Sequence, residues 1–434
     1  MTNGLGPLTF TQPGDVSSPR ACAKIAGKLY PVSSYRLSKN SHGATNTGSM
    51  ALAIAGNPDW TRELTSVIKT GQTDPSPIYL ELWAGFPPAP SSVPSLAGLQ
   101  RRFYGVLDTY EPDNLSTTEF RLRSIAAPLT TDAITTAVQN VTTVDFIRKI
   151  CASYNIKVSI DPTLTNPFTL ARVYAQDFVV GLKNLKKWDI FLRSSIADDC
   201  DLWEDDGTVY YYHPWNVQRQ TVKLVYGTSI KDFHPSHSPQ FSRTIRVQVH
   251  SYSQKIRTAT TVRVQSVVGG IEVSRNTKTL TSQPNWGTNS GQTTTYLNDG
   301  SIKYGSWSSS GGSTGSSNVA IAESGIELYN FYLPNLSYDE CNKLTTAIWR
   351  QISMHEYQGT IEYQMTPALL KLTAMASLLD VSGYPMSKFN TQYWPRTMEE
   401  VFEGAQTDEN SGEAPGWYVT YHGVNHTLPL GGGV

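Results

Sequence analysis

The sequence predicts a mainly β protein interrupted by a small α+β unit, and three observations lead there. Only 16% of the 434 residues are charged, while 23 are Tyr and 10 are Trp; aromatic and β-branched residues suit a pleated, half-buried surface. Short runs alternating polar and apolar residues recur before residue 135 and after residue 219, the period of a strand with one buried face. Between them, residues 136–218 twice adopt 3.6-residue apolar spacing, the period of an amphipathic helix. The predicted units are 1–135, 136–218 and 219–434.

In the first unit, residues 79–83 and 103–107 read as strands, and Pro87, Pro88 and Pro90 mark the loop between them. Phe120, Leu122 and Ile125 alternate with polar neighbours. In the second unit, Thr142 or Thr143 can cap a helix bearing Phe146, Ile147, Ile150, Cys151 and Tyr154. A strand over 155–160 follows, then a helix over 185–199 with Trp188, Phe191, Leu192 and Ile196 on one face. Asp206-Gly207 between two strand-like runs predicts a hairpin, because a type I′ turn needs positive φ at both central positions.

In the third unit, residues 244–250 and 260–268 alternate strictly, so Ile245, Val247, Val249, Val262 and Val264 are the candidate core residues. Residues 282–318 are Gly/Ser/Thr-rich and predict a flexible, exposed loop. Ser337 and Glu340 make a capping box for a helix over 338–355, with Cys341, Leu344, Ile348 and Ile352 as its stripe and Trp349 and His355 beside it. More strands are expected over 360–428. No repeat with a fixed period of about 20–50 residues is visible.

Composition excludes several classes. A net charge of −1, from 35 basic and 36 acidic residues, does not suit a disordered chain or a nucleic-acid binder with a basic face. No stretch of about 18 apolar residues predicts a membrane span, and the first residues are no signal peptide. The four cysteines, Cys22, Cys151, Cys200 and Cys341, form no CxxC pair, so reduced, mostly buried thiols are expected.

Catalytic and metal signatures are missing: no GxSxG, no HExxH, no phosphate loop and no dinucleotide fingerprint. His355-Glu356 lacks its second histidine, since Gly359 stands there. His234 and His237 read as a polar loop rather than a two-ligand metal site. Asp198, Asp199, Asp201, Glu204, Asp205 and Asp206 read as a solvated hairpin tip, because they lack the ligand order of a calcium loop. Lys183, Lys186 and Lys187 read as a solvated helix face. No catalytic residue, cofactor or metal is expected.

The order of segments carries a further signal. Residues 102–108 and 118–122 are followed by 140–147, 154–156, 188–192, 209–212 and 241–252. This series resembles the tail hub proteins of contractile-tailed bacteriophages, the late-control D family, whose relatives form the base of phage-derived injection machines and the N-terminal part of type VI secretion spikes. The resemblance covers residues 95–270 best and extends to 428. It implies two tudor-like β-barrel domains flanking the α+β domain, with three chains closing a pseudo-sixfold ring. The strands at 244–249 and 260–268 would then belong to the second barrel, together with the strands after 360.

The implied protein is a structural virion component and no enzyme: a baseplate hub made in the host cytoplasm. It would join a sixfold tail tube, or a tube-initiator protein, to a threefold central spike. The implied partners are two further copies in a homotrimer, the tube, the spike and the baseplate wedge proteins. DNA only passes through the lumen, and there is no membrane anchor. Spike proteins of the secretion type continue into a further barrel and a needle of repetitive strands; here the spike is expected to be a separate polypeptide. The rival reading is a secreted carbohydrate-binding or glycoside-active β-protein, suggested by the Trp and Tyr content. The low charge fits the hub reading, because interface cores are depleted in charge and enriched in aromatic residues.

Overall fold

A computed structural model describes residues 19–40, 45–54, 57–73, 77–87, 94–110, 119–134, 141–173, 185–213, 220–238, 245–252, 258–267, 270–279, 289–297, 302–309, 327–332, 338–370, 377–403 and 416–425. The chain begins with β1 (Arg20–Ile25), β2 (Lys28–Asn40), β3 (Thr47–Leu52), helix α1 (Pro58–Thr73), β4 (Tyr79–Gly85), β5 (Leu99–Thr109) and β6 (Glu119–Ser124). Strand β1 pairs with both β2 and β4, so the order β1-β4-β5-β6-β3-β2 closes on itself as a six-stranded barrel. A two-residue turn, Ala26 and Gly27 at φ 46° and 85°, starts that closure. Both angles are positive, as a type I′ turn needs. Helix α1 was not expected from the sequence. Asn57 marks its start: its Oδ1 accepts from the Asp59 and Trp60 amides at 3.2 Å, and Leu64 and Ile68 are buried at helical spacing.

The α+β unit follows as α2 (Pro128–Thr131), α3 (Thr143–Ser153), β7 (Lys157–Ile160), α4 (Leu170–Val173), α5 (Lys187–Ala197), β8 (Asp201–Asp205) and β9 (Thr208–Tyr212). Thr142 caps α3, its side chain accepting from the Asp145 amide. Helix α5 buries Trp188, Ile190 and Phe191 but leaves Ile196 exposed, so its apolar stripe is rotated from the expected one. The sheet order is β7-β9-β8. Its two faces serve two cores. Leu202, Val209 and Tyr211 join the helices, while Trp203, stacked on Tyr210 with ring centroids 5.0 Å apart, joins the barrel core.

The chain continues with β10 (Gln220–Val225) and β11 (Ile230–His237), then β12 (Ile245–Tyr252), β13 (Thr258–Val267), β14 (Gly270–Thr279), β15 (Asn289–Leu297), β16 (Ile302–Ser309) and β17 (Glu327–Tyr332). Last come α6 (Tyr338–Ser353), β18 (Tyr357–Gln364), α7 (Pro367–Leu370), β19 (Ser377–Ser382), β20 (Gln392–Glu403) and β21 (Gly416–Asn425). Strands β10, β11 and β18 to β21 continue the barrel's sheet to twelve strands. Their order, β10-β19-β20-β21-β18-β11, repeats that of the first six: first, fourth, fifth, sixth, third, second. One strand departs from the repeat: β10 runs parallel to β19, whereas β1 is antiparallel to β4. The two sets meet where Ser34–Asn40 of β2 pair with Thr397–Glu403 of β20.

Two expectations for the third unit are corrected. Strands β12 and β13 do not join the strands after residue 357; they belong to a separate six-stranded sheet ordered β16-β15-β14-β13-β12-β17. The last strand of the insertion, β17, returns parallel to the first, β12, so its two ends lie side by side. The flexible loop of 282–318 contains two paired strands, β15 and β16; its remaining residues and Ser337 lie outside the described residues. Backbone ladder bonds can order a Thr- and Ser-rich segment without a large apolar face, and composition alone does not report them.

Candidate functional site

Two groups of buried charge organise the molecule. The first sits where the two six-strand sets join. Arg102 of β5 and Glu400 of β20 pair bidentately, Nε to Oε1 at 2.9 Å and Nη2 to Oε2 at 2.7 Å. Tyr35 Oη and Trp417 Nε1 also donate to Glu400 Oε1, at 2.7 and 3.0 Å. Burial alone would raise the Glu400 carboxyl, but the Arg102 charge and hydrogen bonds, with the Lys39 charge and the Tyr35 hydroxyl, outweigh it and hold it below the usual range. Four strands, β2, β5, β20 and β21, thus converge on one carboxylate.

The second group is the segment 198–206, and it corrects the solvated-tip expectation: Asp198, Asp199, Asp201, Glu204 and Asp205 are all buried, and only Asp206 is exposed. The reason is position. The segment runs between the two cores, and each carboxylate meets a different element. Asp198 accepts from the Thr143 hydroxyl, from Tyr211 Oη at 2.7 Å and from the Phe168 amide at 2.7 Å. Asp199 pairs with Arg350 of α6. Asp201 meets Arg396 of β20 at 3.3 Å. Asp205 pairs with Lys39 of β2 at 2.6 Å. Asp206 takes Arg101 of β5 at 2.5 and 2.8 Å. Glu204 instead takes neutral donors: Asn46 Nδ2 at 2.9 Å and the Gly207 amide at 3.0 Å. Burial first, then the neighbouring Asp205, pushes the Glu204 carboxyl up to about 7.

The turn that makes this possible is the predicted one. Asp206 and Gly207 have φ of 50° and 76°, and the reversal lays β8 against β9 in register, Asp205 opposite Thr208.

The same region holds a Cys–His contact with no motif behind it. Cys200 Sγ lies 3.6 Å from His213 Nδ1, which is also 3.0 Å from the Asp199 carbonyl. Burial raises the Cys200 thiol well above its usual value and lowers His213. A reactive cysteine needs the thiolate, so this pair is built for packing rather than nucleophilic attack. All four cysteines are buried and free of disulfides.

The candidate core residues are placed as follows. Val247 and Val249 have no exposed surface; they pack with Cys341, Leu344, Ile348 and Trp349 of α6 in the core shared with the α+β unit, not in a barrel. The register sets Val247 opposite Val264 and Val249 opposite Val262, and Ile245 opposite Glu327. The side chains of Ile245, Val262 and Val264 lie outside the described part.

The histidine pair sits on strand β11 rather than in a loop. His234 Nε2 is 2.7 Å from Asp232, and His237 meets Glu356 at 3.4 Å and stacks on Tyr357. Lys187 pairs with Asp132 at 3.7 Å and also meets the Tyr154 hydroxyl; Lys183 lies outside the described residues. Among the described residues, no group of three His, Cys, Asp or Glu could hold a metal ion. No described helix is long and apolar enough to cross a membrane.

No family model and no curated protein matches the sequence. Solved structures do match in fold. The 43 kDa tail protein of prophage MuSo2 from Shewanella oneidensis is 11% identical, with a TM-score of 0.52 over 94% of this chain and 98% of that one. The tail protein from Neisseria meningitidis MC58 is 10% identical, with a TM-score of 0.54 over 95% of this chain and 98% of that one. The Francisella PdpA–VgrG complex also matches, at 10% identity and a TM-score of 0.43 over 95% of this chain and 65% of that one. The mainly β architecture with a closed six-stranded barrel is thus the fold of phage tail proteins, as the order of segments in the sequence suggested.

Proposed function

We propose that this protein is a structural component of a phage tail, the baseplate hub, and acts by binding rather than catalysis. The observation that carries this is the shared fold with two tail proteins over nearly the full length of each. The strand order that occurs twice in one sheet supports the finer reading. A chain with two similar six-strand sets, assembled as a homotrimer, would offer six comparable surfaces toward a sixfold tube while staying threefold toward a spike. Closed cyclic symmetry is the common solution for such assemblies. The tube or tube-initiator protein, the central spike and the wedge proteins would be its neighbours, and DNA would cross the lumen. A near-neutral chain suits a passage that should not hold nucleic acid tightly. The buried ion pairs support the role as well: they lock the two sets and the α+β unit together, as a load-transmitting ring requires.

Native mass measurement on the purified protein, and copy counting in purified particles, test this. A trimer, or three copies per tail, is expected. A monomer that turns over a glycoside would overturn the reading.

A further inference from the structure

We propose that the β8–β9 hairpin is docked on the first barrel by a protonated Glu204 beside the Asp205–Lys39 ion pair, and that loss of the Glu204 proton loosens the joint. The charge count comes from the geometry. The Lys39 ammonium is committed to Asp205 at 2.6 Å, with both side chains largely buried. Glu204 is 2% exposed, and the donors that reach it directly are neutral. Asn46 Nδ2 binds both its side chain and its carbonyl, at 2.9 and 2.7 Å, and the Gly207 amide holds the other oxygen at 3.0 Å.

The groups facing Glu204 from each packed element are few. Strand β2 brings Lys39, the connector after it brings Asn46, and β6 brings the Ser124 hydroxyl. The hairpin itself brings Asp205 and the Gly207 amide. Arg101 of β5 is engaged by Asp206 and lies 3.8 Å from Glu81. Among the described residues, one cation therefore faces two carboxyl groups, and a second negative charge there has no direct partner. An uncompensated buried carboxylate is costly, and such a group neutralises instead. The upward displacement of the Glu204 carboxyl agrees with this.

The joint has a place to give way. Asp205 borders the two-residue turn and Glu204 precedes it; they touch the barrel through Lys39 and Asn46, while Leu202, Val209 and Tyr211 of the same two strands stay in the second core. Opening the joint exposes the Glu204 carboxyl to water, where it ionises near its ordinary value of 4.5, against about 7 when docked. Opening therefore becomes easier as pH rises between these two values and levels off about one pH unit above the upper one.

Hydrogen exchange of the full-length protein, read by mass spectrometry on peptides covering β8 and β9 and corrected for the intrinsic pH dependence, tests this. Wild-type protein should open about sevenfold more often at pH 6 than at pH 5, and about twofold more at pH 8 than at pH 7. Glu204→Gln keeps one acceptor oxygen, for Asn46 or for Gly207, and cannot ionise; its exchange should be flat with pH. Barrel peptides from β3 should show no such slope in either protein. A wild-type hairpin with no slope between pH 5 and 7, or a slope that survives in Glu204→Gln, would overturn the proposal. The outcome is independent of whether the protein is a tail hub, because the joint lies within one chain.

Discussion

Arg102 and Glu400 lie 298 residues apart in sequence and meet as a bidentate ion pair in the interior. Glu400 has no exposed surface, and the Arg102 side chain shows 7%. The guanidinium also lies 5.7 Å from the Trp417 ring centroid. Removing one partner leaves the other charged, buried and uncompensated. Glu400→Gln should therefore cost about 3–5 kcal/mol of stability, read as a lower urea midpoint. The double change Arg102→Met with Glu400→Leu should recover most of that loss, because a matched apolar pair leaves no stranded charge. A double variant no better than the single one would show that the surrounding donors, Tyr35 and Trp417, depend on the carboxylate more than Arg102 does.

The turn at Gly207 gives a second expectation. Its φ is 76°, and a Cβ placed there would lie 2.6 Å from Tyr104 Cδ1. Gly27 shares the positive φ, 85°, but a Cβ there meets nothing within 4 Å. Both Gly→Ala changes strain the backbone, at more than about 1 kcal/mol each. Gly207→Ala must also displace an aromatic ring, so its thermal midpoint should fall further than that of Gly27→Ala. Equal losses would show that Tyr104 yields freely.

The sequence reveals what is local. Thr142 as a cap, Asp206-Gly207 as a turn and the helix beginning at Tyr338 depend on neighbours a few residues away, and the structure has all three. What it hides is non-local. Asp199 pairs with Arg350 and Glu400 with Arg102, and no spacing rule links such positions. The carboxylates of 198–206 look like a solvated run because their cations come from other units. The twofold strand order is invisible for a related reason: it records where backbones lie, and two sheets can share that order with no side chain in common. Residues 245–332 separate β11 from β18, which hides the second set further. Helix α1 is hard to read because Thr and polar residues dilute its apolar stripe, although Asn57-Pro58-Asp59 is a start signal.

Val247 offers a test of where the inserted sheet docks. It has no exposed surface and shares a core with Leu344 and Ile348 of α6. Val247→Asp places an unpaired carboxylate there and should abolish soluble expression. Val247→Ala removes two methyl groups and should cost about 1–3 kcal/mol, read from the unfolding midpoint. Soluble Val247→Asp at wild-type yield would mean that β12 does not pack on α6.

His213 sets the acid limit from a different direction. Burial lowers its tendency to protonate, while the Asp161 and Asp198 charges oppose that only in part. The folded protein thus binds this proton less readily than the unfolded chain, whose imidazole titrates near 6.5. Below that value the unfolded state carries more protons, so stability is present at higher pH and is lost on acidification. One proton can contribute at most about 1.4 kcal/mol per pH unit. His355 shifts in the same direction and leaves its own slope in every variant. His213→Asn can still donate to the Asp199 carbonyl but cannot take up a proton. Between pH 7 and pH 5, the wild-type unfolding midpoint in urea should therefore fall relative to that of His213→Asn. Parallel curves for the two proteins would show that His213 keeps its ordinary titration in the folded state and that its burial carries no acid penalty.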